Sequence, residues 1–181
     1  FGPLTRLLSS SVVAPPLPER PAQVDWVAGA SVMMRWDMLA EIGLFDEEYF
    51  LYYEETDLCL RAAKAGHPTH YVRASEVVHI GSVSTGMKKW QRTPRFWFDS
   101  RLYYFVKNHG ILYAGGATVL HLLGGGLRKL RGLIDRKARG GAYRFLSDLG
   151  MHALGAAFRG RAGPEPVAAR VQTPTPAQAQ T

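Results

Sequence analysis

The sequence is poor in cysteine. Its one thiol, Cys59, excludes an internal disulfide and a cysteine-rich zinc site, which suits a reducing compartment. It also lacks a basic-then-apolar signal at its front. The chain starts at Phe1 rather than Met, which reads as a fragment with an upstream part elsewhere. The apolar stretch from Ile111 to Leu127 carries five glycines and His121, too short and too glycine-rich for a membrane span. Acids are scarce in the second half. Residues 86–181 hold sixteen Lys/Arg against four Asp/Glu, a net of +12, whereas residues 1–85 carry a net of −5. An acidic block is followed by a basic one, and each needs its own explanation. No internal repeat is present.

What is there suffices for one domain. The 181 residues are 46% hydrophobic and 20% charged, ordinary values for a globular protein with a real core. Residues 1–24 carry Pro3, Pro15, Pro16, Pro18 and Pro21, which predicts a connector without regular structure. The apolar run Trp26 to Met34, with Gly29 inside it, predicts a buried strand approached closely by another group. Asp37 is the expected cap of a short helix, Met38 to Ile42, stopped by Gly43. Thr56 to Ala65 reads as a helix ended by Gly66. Thr69 to Val72 and Glu76 to Ile80 read as short strands. Thr93-Pro94 predicts the start of a helix running to Gly110. Residues 111–159 read as a basic amphipathic region, and residues 160–181 as a tail unable to offset its own ordering entropy.

The densest chemistry lies between Asp46 and Asp57, which holds six of the fifteen carboxylates among aromatics. Group transfer to a hydroxyl needs a base, and adjacent acids at a helix start could supply one held firmly by the fold. Acids also favour a helix N-terminus for dipole reasons alone, and composition by itself prefers that plainer reading. Phe50, Tyr52 and Tyr53 shift the balance, because aromatics beside a polar cluster are what a sugar-binding surface offers, although a core would use them equally. His79 precedes a small-residue loop, Gly81 to Gly86, with Ser82 and Ser84, whose backbone N–H groups could meet a phosphate. One histidine cannot hold a metal alone.

Trp26 to Arg35, Gly43-Leu44-Phe45-Asp46-Glu47, Phe50 through Arg61, Ala65-Gly66 and His79-Ile80-Gly81-Ser82-Val83-Ser84 follow in an order that resembles the family 2 glycosyltransferases. The bacterial rhamnosyltransferase and galactofuranosyltransferase-like branch is the nearest in pattern. The resemblance covers about residues 25–110 and implies an α/β fold, the C-terminal, acceptor-side half of a GT-A type Rossmann-like sandwich, followed by basic amphipathic helices. It implies an inverting transferase using a nucleotide-sugar donor, a divalent metal (Mn or Mg) and a glycan or lipid-linked acceptor, in cell-surface polysaccharide synthesis. Glu54-Glu55 falls on the family's Glu-Asp pair, so the resemblance makes Glu55 the general base, one methylene longer than the usual Asp. Asp57 and Arg61 match the acid and arginine that follow, expected to fix the helix and the acceptor side rather than do chemistry. His79 matches a metal-binding histidine, with Ser82 and Ser84 toward the donor's diphosphate. Trp26, Gly29, Ala30 and Tyr53 would line the acceptor pocket.

No Asp-x-Asp occurs anywhere in the chain, and no glycine-rich phosphate loop follows a first strand. The nucleotide-binding half is therefore expected upstream, and this chain alone is expected to be inactive. The cations from Arg128 to Arg144, interleaved with leucines, suit an anionic membrane surface better than nucleic acid, for which no motif is present, and a plain solvated helix fits them equally well. The expected location is cytoplasmic, peripheral at the inner face of the plasma membrane. The competing reading is a non-catalytic membrane-surface or carbohydrate-binding module.

Overall fold

The structure is a computed structural model that describes residues 17–78, 92–134 and 144–159. It is a mixed α/β chain, with helices dominating a small antiparallel sheet. The order is β1 (Ala22–Val24), α1 (Trp36–Ile42), α2 (Glu54–Lys64), β2 (Thr69–Tyr71), α3 (Arg95–His109), α4 (Ile111–Ile134) and α5 (Phe145–Arg159). β1 and β2 pair antiparallel, with Ala22 opposite Tyr71 and Val24 opposite Thr69.

Three expectations change here. The connector expected to lack regular structure ends in β1, because Ala22–Val24 finds a partner edge in β2. The strand expected over Trp26 to Met34 is irregular and largely exposed, and Met33 is 99% accessible. A strand needs a neighbour for its ladder groups, and among the described residues β1 and β2 pair only with each other. The Glu76 to Ile80 strand is not regular over residues 76–78, and its last two residues lie outside the described ones.

The helices start and stop largely where local chemistry puts them. α1 begins at Trp36, one residue ahead of its expected cap. Asp37 lies inside its first turn, ion-paired with Arg35, and takes the Met38 N–H at 2.9 Å. Gly43 ends α1 at φ 83° and Gly110 ends α3 at φ 87°, left-handed geometry that a side chain resists. α2 starts two residues earlier than expected, at Glu54. α4 runs unbroken through all six of its glycines and joins what the sequence reads as two segments.

Packing has two centres. Leu58, Cys59 and Ala62 of α2 are buried together with Tyr49. Phe98 of α3, Ala114 of α4, and Leu149 and Ala156 of α5 are buried in the second. There α3, α4 and α5 all pack on one another. α4 and α5 approach closely: a Cβ on Gly125 would lie 2.5 Å from Leu146 Cδ2.

Candidate active site

The acid-bearing stretch is held between α2 and one face of α3. Tyr52 and Tyr53 precede α2 with φ of 70° and 72°, a left-handed conformation costing about 1–2 kcal/mol per non-glycine residue. Aromatic contacts over-determine it. Tyr52 stacks on Phe96, and Tyr53 meets Trp97 edge-on at 5.9 Å and Tyr104 at 5.4 Å. Ser100 Oγ donates to the Leu51 carbonyl at 3.0 Å. Burial pushes the Tyr53 hydroxyl up to about 12, so it stays protonated at neutral pH.

The strained turn delivers Glu54 and Glu55 to the first turn of α2. One oxygen of each, Oε2, is sealed from solvent and has no hydrogen-bond partner among the described residues. Burial, together with the charge on Glu55, raises the Glu54 pKa against a lowering backbone hydrogen bond. An orphaned buried carboxylate oxygen carries a desolvation cost, which a ligand hydroxyl or a proton would relieve. Gly29 passes directly over this turn: a Cβ there would stand 3.8 Å from Glu55 Cβ. Trp26 and Ala30 lie exposed on the same irregular segment.

Asp57 differs from its neighbours. It is 0% exposed and receives Tyr49 Oη at 3.2 Å, Asn108 Nδ2 at 2.9 Å, Lys107 Nζ at 2.8 Å and Arg61 Nε at 2.9 Å. Burial works against its ionisation, but the bonds from Asn108, Lys107 and Arg61 outweigh it and hold the carboxyl below the usual range. Both oxygens of Asp57 are thus occupied by donors of the chain itself. Arg61 is spent in the same way: its Nη1 donates to the Ile42 carbonyl at 2.6 Å and its Nη2 to the Leu44 carbonyl at 2.7 Å. It ties the end of α1 to α2.

The structure thus brings Gly29, Tyr53, Glu54 and Glu55 together and sets Asp57 and Arg61 beneath them. His79, Ser82 and Ser84 lie outside the described residues. Among those described, no three His, Cys, Asp or Glu side chains converge to hold a metal ion. A cavity of about 410 Å³ lies elsewhere, between the start of α3 and α5. Its lining is internally paired: Arg92 meets Asp148, Arg95 lies 3.8 Å from Asp99, and His152 Nε2 lies 2.8 Å from Asp99 Oδ1.

Sequence reasoning missed the contribution of α3. Lys107 bridges Asp46 at 2.7 Å and Asp57 at 2.8 Å, and Tyr103 Oη donates to Asp46 at 3.0 Å. The sequence offered only a weak signal: six carboxylates between positions 46 and 57 are followed nearby by just Arg61 and Lys64, which leaves room for a cation from elsewhere in the chain.

Part of the chain is related to glycosyltransferases. It is 43% identical over 68 residues to an N-acetylglucosaminyl-diphospho-decaprenol L-rhamnosyltransferase of Mycobacterium tuberculosis, covering 38% of this chain and 22% of that protein. It is also 43% identical over 56 residues to the rhamnosyltransferase WbbL of Escherichia coli, covering 31% of this chain and 21% of that one. The matches thus span about a fifth of each relative. No family model matches the chain, and no solved structure does.

Proposed function

We propose that this chain is the acceptor-side part of an inverting glycosyltransferase of the family 2, GT-A type. It would move a sugar, rhamnose or a related hexose, from a nucleotide-sugar to a glycan or lipid-linked acceptor in cell-surface polysaccharide synthesis. The observation that carries the reading is the buried, unpartnered Oε2 of Glu55 beneath Gly29, in a chain that shares a segment with two rhamnosyltransferases.

In this reading Glu55 accepts the proton of the acceptor hydroxyl as its oxygen bonds to the anomeric carbon and the nucleoside diphosphate departs. Glu54, its pKa raised chiefly by burial, holds a proton more readily than an exposed carboxylate and orients the acceptor beside it. Tyr53 and the segment from Trp26 to Ala30 form the acceptor's wall, and Asp57 and Arg61 fix the helix that carries the base. A divalent ion belongs to the proposal only through His79, Ser82, Ser84 and groups beyond the described residues. The enzyme would work peripherally at the inner face of the plasma membrane.

The test is Glu55→Gln in a protein that joins this segment to a nucleotide-sugar-binding half. Loss of the base lowers kcat by about 10²–10⁴-fold, while Glu55→Asp, which restores the family's residue, keeps transfer. Undiminished transfer by Glu55→Gln overturns the base assignment.

A further inference from the structure

α4 is built inside out for a helix in water. Its inward face is built largely of small residues: Ala114 and Thr118 are buried and Gly125 meets Leu146 of α5, with Leu122 the larger residue beside Gly150. Most of its other large apolar residues face outward. Leu112 is 89% exposed and Leu120 70%, with Val119, Leu123 and Leu127 more than half exposed. The spacings of seven, eight, eleven and fifteen residues from Leu112 put all five on one stripe, roughly 100° wide. α5 repeats the pattern on a smaller scale, with Met151, Leu154 and Phe158 exposed at positions i, i+3 and i+7. A soluble helix normally hides its leucines, and exposed apolar surface on this scale marks an interaction site.

Charge indicates what covers the stripe. From Ile111 to Ile134 the helix has no Asp or Glu, and Arg128, Lys129 and Arg131 gather near its end; Asp135 follows, then Arg136, Lys137 and Arg139 in sequence. A second copy of α4 would offer its three cations no carboxylate of its own. An anionic lipid surface accepts both halves of the pattern, because leucines enter the acyl boundary while lysine and arginine meet phosphate headgroups. Among the described residues no helix is long and apolar enough to cross a membrane. At 24 residues, α4 would extend about 36 Å along the surface.

We propose that the outward stripe of α4, Leu112 through Leu127, lies flat in the interface of an anionic phospholipid bilayer. The inference deepens the peripheral position proposed above by naming the surface that makes it. Its test reads binding rather than transfer, so it and the catalytic reading fail separately.

The experiment is co-sedimentation of the whole chain with phosphatidylcholine vesicles, with and without phosphatidylglycerol, alongside the double variant Leu120→Glu/Leu123→Glu. Both positions are exposed, so the variant should keep the wild-type circular dichroism. The chain is expected to partition onto the anionic vesicles, and the variant to lose at least about tenfold in partition. Equal partition by the variant, or no binding of the wild-type chain, overturns the proposal. So does self-association of the wild-type chain that the substitutions abolish without any vesicle binding, since the stripe would then be a contact between copies. As a second readout, Leu112→Trp should blue-shift in emission only when anionic vesicles are added. An unshifted spectrum on bound protein would place the contact elsewhere.

Discussion

Lys107 Nζ on α3 lies 2.8 Å from Asp57 Oδ2 on α2, at a carboxylate with no exposed surface. The same ammonium reaches Asp46 at 2.7 Å. One cation, fifty residues from its deeper partner, therefore fastens the acid-bearing stretch from behind.

That geometry sets the first prediction. Asp57→Asn leaves Lys107 and Arg61 facing an uncharged group in a buried site, and should destabilise the fold by about 3 kcal/mol. Asp46→Asn, at a more accessible pair, should cost about 1 kcal/mol or less. Urea denaturation of the two variants measures the difference, and equal midpoints would remove the special role of Asp57.

The same carboxylate makes stability depend on acid. Its pKa in the fold is depressed, so its contribution is complete above the unfolded value, about 4. It is lost as pH falls from there through the folded value. Asp57→Asn should flatten the stability profile in that acidic window and leave its slope near neutrality unchanged. Thermal melts across the range provide the check.

Glu54 carries the opposite sign. Its pKa in the fold is raised, chiefly by burial, so the fold is favoured below the unfolded value, about 4.3, and loses that advantage as pH rises through the folded value. Glu54→Gln should melt higher than wild type at pH 7, by roughly a few degrees, and the gap should close at acidic pH. In the active protein the same substitution should lower transfer, because stability is gained at the expense of a site group. A variant equally stable with wild type at every pH would show that burial at Glu54 carries no cost.

The glycines of α4 separate by their surroundings. A Cβ at Gly125 would stand 2.5, 2.8 and 3.2 Å from the Cδ2, Cδ1 and Cγ atoms of Leu146, whereas one at Gly126 meets nothing within 4 Å. Gly125→Ala should therefore be the less stable of the two, because Leu146 must move and overpacking offsets the propensity gain of about 1 kcal/mol. Gly126→Ala should stabilise by up to about 1 kcal/mol through helix propensity. Adding Leu146→Ala to Gly125→Ala should recover part of the loss in a double-mutant cycle. Additive losses would place the strain elsewhere.

Much of this was legible in the chain. Gly43, Gly66 and Gly110 end their helices in the structure as the sequence predicts, at φ between 83° and 88°, because backbone permissiveness is a local property. β2 and the acid-rich start of α2 follow from local pattern as well. The run from Trp26 to Met34 misled, since apolar composition signals burial but does not supply the neighbouring strand that a ladder requires.

For the acid-and-aromatic stretch, the sequence by itself determined the ingredients: the adjacent Glu54 and Glu55, the aromatics before them, and Arg61 one turn after Asp57. Tertiary structure alone decided how the three acids divide. Four donors from three parts of the chain saturate Asp57, while Glu54 and Glu55 each keep an oxygen buried and unpaired. Sequence spacing places residues on one helix, but a carboxylate's solvation depends on which distant groups, such as Lys107 and Asn108, fold back onto it. The same holds for α4. Its composition announced an amphipathic helix, and only packing against α3 and α5 decided that the leucines would be the face left outside.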